Sequence, residues 1–386
     1  MRLALVTWSF DTFQGISRCV VELASRLADR YEVHVFASVI DHHPPSGVTV
    51  HRIRLRSRRY YLADWEFFVR AGLRLRREHF DLVHLHFPAW FPAQVFTCHG
   101  VARAALQSLR RFPPQPRRDV SLRRMLPYYL QLPLYGYHLR NRRTVITAVS
   151  EKARREVVRY YRRLPSEIPL IPNGVELDLF RPQLVQQWRE KTRAHLGLRE
   201  DQFVLLFVGH HFRHKGARYA VETLARLPER VVLLVLGAGT PEQLPVPPDL
   251  LACLTRSRRV MFAHTDREIW RYYGAVDALL FPSLYESFAL VVLEAMAAGL
   301  PVITTRTVAL GDEAIQDGEN GFVVDWPWDT AGMAARVQAL LAHPGLGQRI
   351  GTRAREVAVT YSWERYVALT QEVYEKALTS GQPSQP

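Results

Sequence analysis

Residues 281–301 read FPSLYESFALVVLEAMAAGLP, and the organisation of the chain follows from this stretch. Residues 278–281 are a short apolar run that Pro282 and Ser283 interrupt, the pattern of a buried strand running into a turn. Ser287 stands where a helix cap would, and apolar residues continue over 288–298 until Gly299 and Pro301 end a helix. Two carboxylates flank the junction, Glu286 just before the helix and Glu294 on its second turn. At a rise of ~1.5 Å per residue, Glu294 lies about 9 Å along the axis from the helix start. The free N–H groups of the first turn, a ready anion site, lie between them.

Two glutamates eight positions apart are by themselves an ordinary solvated pair. The context distinguishes these two. Glu286 follows a strand end, where parallel sheets bind ligands, and Glu294 is embedded in LVVLEAMAAG. A carboxylate in such surroundings requires donors, because an unpaired buried charge costs several kcal/mol. The order carboxylate, anion hole, carboxylate matches that of a nucleotide diphospho-sugar: sugar hydroxyls, diphosphate, ribose hydroxyls.

Outward from this stretch, apolar β-branched runs alternate with helix-period segments, which reads as parallel sheets with crossovers. Strands are expected over 2–8, 31–38, 48–55, 81–87, 94–99, 144–149 and 169–171, then over 203–209, 231–237, 260–263, 278–282, 302–305 and 322–324. Between the two series, 172–182 is rich in turn residues and reads as a hinge. With 386 residues, two doubly wound α/β domains follow, 1–180 and 181–361. An amphipathic helix over 362–378 is expected to pack back on the first, followed by a frayed tail, 379–386.

Three cysteines in no ligand spacing favour a reducing compartment and no disulfide framework. Residues 3–8 are too short for a signal-peptide core, and no run of about 20 apolar residues occurs. A cytoplasmic protein, soluble or peripheral on the cytoplasmic face of a membrane, is expected. The net charge of +14 is concentrated. Residues 103–143 hold ten arginines against Asp119, and 52–78 hold nine arginines against three acids. Such runs suit a solvated face or an anionic surface. Nucleic acid is not expected, since no recognised module accompanies the charge. Around 117–143 the arginines interleave with leucine and tyrosine, as at an anionic bilayer, and Pro113, Pro114, Pro116, Pro127 and Pro133 predict short helical pieces there.

The segment YESFALVVLEAMAAGLPVI resembles the signature of the retaining family 4 glycosyltransferases. FVLLFVGHHFRHKG at 203–216, LIPNGVELDLFRP at 170–182, VITAVSE at 145–151, DLVHLHFP at 81–88, FTCHG at 96–100 and YSWERYVALTQEVYEKAL at 361–378 match in order. The resemblance implies the GT-B fold, two facing Rossmann-like domains with an interdomain cleft, and transfer of a sugar from a nucleotide diphospho-sugar to an acceptor hydroxyl. It implies that Glu286 contacts the donor sugar and Glu294 the ribose. Ser287 and the N–H groups of Phe288, Ala289 and Leu290 would meet sugar and diphosphate. Ala289 stands where glycine is commoner. Gly209, Lys215 and then Arg213 form the expected diphosphate clamp, the arginine position being open because His210 and His214 flank it. Gly15 and Ile16 would offer N–H groups to the donor, with one glycine where relatives carry two. His99 would orient a sugar hydroxyl or a backbone carbonyl, with His84 and His86 as weaker acceptor-side candidates. The catalytic set is therefore Glu286, Lys215 and His99.

No metal or cofactor is expected, since no Asp-x-Asp pair is present and cationic side chains would do the work of a divalent ion. The expected acceptor is a glycolipid or a cell-envelope glycan. The alternatives are another GT-B nucleotide-sugar enzyme, an epimerase or phosphorylase, or a non-catalytic basic protein that binds nucleic acid.

Overall fold

The computed structural model describes residues 1–57, 59–111, 122–237, 239–263 and 268–380. The chain forms two compact units, Met1–Gly174 with the chain from Trp363 onward, and Val175–Ser362. Segment 175–180 belongs to the second unit, where Arg355 donates to the carbonyl oxygens of Phe180 (3.2 Å) and Leu177 (3.4 Å).

In the first unit the strands are β1 (Arg2–Val6), β2 (Ser9–Phe10), β3 (Glu32–Ala37), β4 (Val39–Ile40), β5 (Val48–Arg52), β6 (Leu82–Leu85), β7 (Val95–Cys98) and β8 (Val145–Ala148). Six of them form a parallel sheet in the order β5-β3-β1-β6-β7-β8, while β2 and β4 pair separately. In the second unit β9 (Phe203–Val208), β10 (Val231–Leu236), β11 (Val260–Ala263), β12 (Ala278–Phe281), β13 (Val302–Thr305) and β14 (Phe322–Val324) order as β11-β10-β9-β12-β13-β14. Both sheets therefore reverse strand order once, between β1 and β6 and between β9 and β12. The carboxyl ends of those strands flank the crevice where doubly wound sheets bind ligands. The strands are nearly continuous apolar runs because helices cover both faces, and every residue of β10 and β12 is buried.

Two expectations change. Residues 169–171 contribute only a bridge, Leu170 to Ala148, and no strand. Leu122–Leu139 is one helix that carries Pro127 and Pro133 within it, not a set of short pieces. Contacts with the helix Tyr60–Leu75 hold it. Trp65 Nε1 donates to Leu130 O (3.1 Å), Gln131 donates to Asp64 (2.7 Å), and Leu134, His138 and Leu139 are buried. Arg117 and Arg118 lie outside the described residues.

The helix Trp363–Ser380 packs in the first unit against the helix Gly15–Leu27 and β7. Its Tyr374 hydroxyl lies 2.7 Å from His84 Nδ1. Among the described residues, no helix is long and apolar enough to cross a membrane.

Candidate active site

The two strands flanking the second switch point lead into the turns that carry the expected chemistry. After β9 the chain turns through 209–216. Gly216 has φ +74°, and a Cβ there would lie 1.8 Å from the Pro282 carbonyl oxygen, so only glycine lets this turn lie against the end of β12. A Cβ at Gly209 would fall 2.8 Å from Lys215 Cγ, so this glycine leaves room for the lysine stem. Lys215 then reaches from the β9 side to Glu286 on the β12 side and pairs with its Oε1.

Residues that the sequence did not single out complete the pair. Ser283 Oγ lies 2.9 Å from Glu286 Oε1 and 3.2 Å from the His214 carbonyl oxygen. His214 Nε2 donates to the Tyr285 carbonyl (2.9 Å), which ties the turn after β9 to the one after β12. Ser283 stands three residues before Glu286, a spacing at which the serine could have been suspected. Burial keeps His214 below its ordinary value, so it is neutral around pH 7. The His214 position is thus structural, and Arg213, beside it, is exposed.

The helix after Glu286 begins at Leu290 and ends at Ala297. Ser287 does not cap it. That serine lies too far upstream of the first turn, and its hydroxyl instead meets the Tyr285 hydroxyl at 3.3 Å. The N-cap residue is Ala289, held at φ 80°, ψ 82°. Phe288 is buried, its ring 6.1 Å from that of Tyr361. Glu294 is 7% exposed, and Tyr273 Oη donates to its Oε2 at 2.6 Å. Tyr273 itself is buried edge-on to Phe180. No sequence pattern linked Tyr273 to Glu294, since they lie on different elements.

In the first unit, Gly15 opens the helix Gly15–Leu27 and is exposed together with Ile16. Asp11 accepts from the N–H groups of Phe13 (2.9 Å) and Gln14 (2.8 Å) just upstream. His99 follows β7, and its Nε2 lies 2.9 Å from His86 Nδ1. His86 lies against His84 with ring centroids 4.2 Å apart and planes tilted by 39°. His84 is fixed by Tyr374 and, at 2.7 Å, by Thr97. Burial drives His84 and His99 down to about 3 and His86 well below its ordinary value. All three are neutral around pH 7, which suits orienting a hydroxyl and not donating a proton. His34, His51 and Glu78 also place possible ligand atoms within 4.8 Å of one another, but Arg2 and Arg74 already pair with Glu78.

The Glu286 carboxyl is pulled two ways. Burial pushes it up, but the Lys215 charge, then His214, and hydrogen bonds from Lys215 and Ser283 hold it below 4.5. A carboxyl lowered on folding contributes stability that is complete above 4.5 and is lost as pH falls through the folded value. Lys215→Met removes the main counter-charge and leaves burial to raise this carboxyl. The Tm difference between wild type and variant should therefore widen as pH rises through 4.5, and a difference that is flat with pH would refute this electrostatic account. At Ala289, a positive φ costs an alanine roughly 1–2 kcal/mol. After glycine's own entropy cost, Ala289→Gly should stabilise by about 1 kcal/mol, read from the urea midpoint.

Two family models match in succession, Glycosyltransferase Family 4 over 13–179 and Glycosyl transferases group 1 over 189–357. A D-inositol 3-phosphate glycosyltransferase of Streptomyces bingchenggensis is 33% identical over 60% of this chain. The match covers 53% of that relative, so the chain spans about half its length. WaaG, a glycosyltransferase involved in lipopolysaccharide biosynthesis, superimposes with a TM-score of 0.79 at 22% identity, covering 96% of this chain and 98% of WaaG. Anabaena HepE in complex with UDP-glucose gives 0.69 at 18% identity, covering 98% of this chain and 100% of HepE. At these identities the two structures establish the fold. With each sheet reversing its strand order once, this chain carries in succession a Glycosyltransferase Family 4 domain and a Glycosyl transferases group 1 domain and has the GT-B fold.

Proposed function

We propose that the protein is a retaining glycosyltransferase that takes a sugar from a nucleotide diphospho-sugar and delivers it to an acceptor hydroxyl. The observation that carries this reading is the Lys215–Glu286 pair spanning the β9/β12 switch point, with the helix N-terminus at Leu290 beyond it. HepE, which shares the fold, holds UDP-glucose.

In this reading Glu286 accepts from hydroxyls of the donor sugar, and Glu294 from ribose hydroxyls. Ser287 borders the sugar. Lys215 has three N–H donors. One serves Glu286, and the others meet the diphosphate together with Arg213 and the N–H groups of Phe288, Ala289 and Leu290. Negative charge grows on the leaving diphosphate as the glycosidic bond breaks, and these groups are placed to stabilise it without a metal. Gly15 and Ile16 offer N–H groups, and His99 orients a hydroxyl in neutral form. No side chain is assigned as a nucleophile.

Glu286→Ala and Lys215→Ala should each lower transfer by roughly 10²- to 10³-fold. Glu294→Gln should weaken nucleoside diphosphate binding about tenfold, read as a reduced thermal shift in a panel of nucleotides. Wild-type transfer rates in both Glu286→Ala and Lys215→Ala would remove this site assignment. A labelled donor separates transfer, which yields free nucleoside diphosphate and a glycosylated acceptor, from epimerisation or phosphorolysis.

The acceptor in this reading is a glycolipid or cell-envelope glycan met at the cytoplasmic face of the membrane. Along the helix Tyr60–Leu75, Leu62, Trp65, Val69 and Leu73 recur at helical spacing and are 37–48% exposed. Trp90 is 44% exposed, with Arg76 lying 4.6 Å over its ring, and Arg77 is exposed beside it. An apolar stripe fringed by arginine fits the headgroup layer of an anionic bilayer. The protein should float with vesicles of phosphatidylcholine and phosphatidylglycerol and not with phosphatidylcholine alone, and Trp65→Ala with Leu73→Ala should release it. Equal behaviour on both lipids would end this part of the reading.

A further inference from the structure

After β14 the chain reads Asp325, Trp326, Pro327, Trp328, Asp329. The two indoles lie parallel, with centroids 5.1 Å apart and planes 8° from one another. Trp326 is 48% exposed and Trp328 half-buried, so the inner ring backs the outer one and the outer one meets water. An indole offers a large apolar face that water solvates poorly.

The turn is anchored on both sides. Arg306 Nε donates to Asp325 Oδ1 at 3.0 Å, and Asp329 Oδ1 accepts from Gly332 N at 2.8 Å to cap the helix Thr330–Ala342. Its position in the second unit is defined by the same sheet that carries Glu286. Arg306 N donates to Val324 O (3.1 Å), and the carbonyl of the next residue, Thr307, accepts from Glu286 N (3.2 Å). At about 4.8 Å per strand, the carboxyl end of β14 lies roughly 10 Å from that of β12. It lies on the Glu286 side of the site. Glu294 is tied the other way, to Tyr273 on the helix Trp270–Ala275, which precedes β12.

We propose that Trp326, backed by Trp328, is a saccharide subsite. The apolar C–H face of a pyranose ring lies on the outer indole, while Asp325 and Arg306 at the rim accept from and donate to its hydroxyls. A nucleobase would also stack on an indole, but the tryptophans lie beyond the sugar end and away from the ribose end. The occupant is therefore a sugar ring of a glycan acceptor, next to the one that reacts. This rests on the reading in which Glu286 faces the donor sugar.

The test uses the full chain and three named probes, maltohexaose, cellohexaose and mannohexaose, observed by saturation-transfer NMR. The thermal shift given by UDP is recorded in parallel. At least one hexasaccharide should bind the wild type. Trp326→Ala should weaken that binding roughly five- to tenfold, and Trp326→Phe, which keeps a flat ring, should largely retain it. The UDP shift should be the same in all three proteins. No hexasaccharide binding to the wild type, or binding equal in wild type and Trp326→Ala, would overturn the subsite while an intact UDP shift left the donor site standing. Saccharide displaced by UDP would overturn it as well, since the tryptophans would then be part of the nucleotide site. Absence of a UDP shift in the wild type would instead count against the donor site, and the subsite would lose the frame that orients it.

Discussion

The second unit depends on carrying two opposite charges across the point where its sheet reverses strand order. A lysine after β9 and a glutamate after β12 can meet only if both turns lie close together, and the backbone is shaped to that end. Gly216 removes the side chain that would strike Pro282, Gly209 clears the lysine stem, and His214 ties one turn to the carbonyl of Tyr285 in the other. At the amino ends of the same strands Asp277 makes a matching clamp. Its Oδ2 accepts from Val204 N (2.7 Å), its own N–H donates to Val204 O (2.8 Å), and Arg189 holds its Oδ1 at 2.6 Å. The two strands are thus pinned at both ends. A partly buried ion pair is weak evidence of stability. Its better explanation here is position: it keeps a carboxylate ionised, and a cation beside it, at the end of the sheet where ligands bind.

Glu286 in the second unit and His84, His86 and His99 in the first respond to burial in opposite ways. In the second, burial would neutralise Glu286 and Lys215 prevents it, so the carboxylate remains an acceptor. In the first, nothing offsets burial around His84, His86 and His99, and the imidazoles remain neutral. A neutral imidazole has one donor and one acceptor nitrogen. The hydroxyls of Tyr374 and Thr97 therefore constrain the ring of His84, which lies in contact with His86, and His86 in turn meets His99. Tyr374 belongs to the last helix of the chain, which explains why the C-terminal segment returns to a unit that begins at Met1.

The strands were legible because burial on both faces writes itself as short continuous runs of Val, Leu, Ile and Phe. All six strands of each sheet fall inside predicted runs, and several end one to three residues early, where ladder pairing stops before the apolar pattern does. What escaped was specified by contacts between distant segments. Proline chemistry argued against one helix over Leu122–Leu139, but Trp65 and Asp64, on another helix, hold that helix in place. Ser287 looked like a cap because serine precedes an apolar run. The backbone instead turns through Ala289, two residues later. Tyr273 could not be paired with Glu294 from sequence, since they stand 21 positions apart with a strand between them.

Ala289 shows how these constraints combine. The chain must leave β12, present Glu286 toward the lysine, and then enter the helix that begins at Leu290. With so few residues between Glu286 and Leu290, the turn closes only through a left-handed residue. Glycine would meet that demand without strain, whereas alanine meets it at a cost and adds a methyl group at the start of the helix. The strain is supported by the packing around it, with Phe288 buried on one side and the apolar helix Leu290–Ala297 on the other. Strain persists where surrounding structure over-determines it, and it concentrates where a ligand must be met at close range. The strained residue and the Lys215–Glu286 pair thus belong to one turn, the one that leads out of β12.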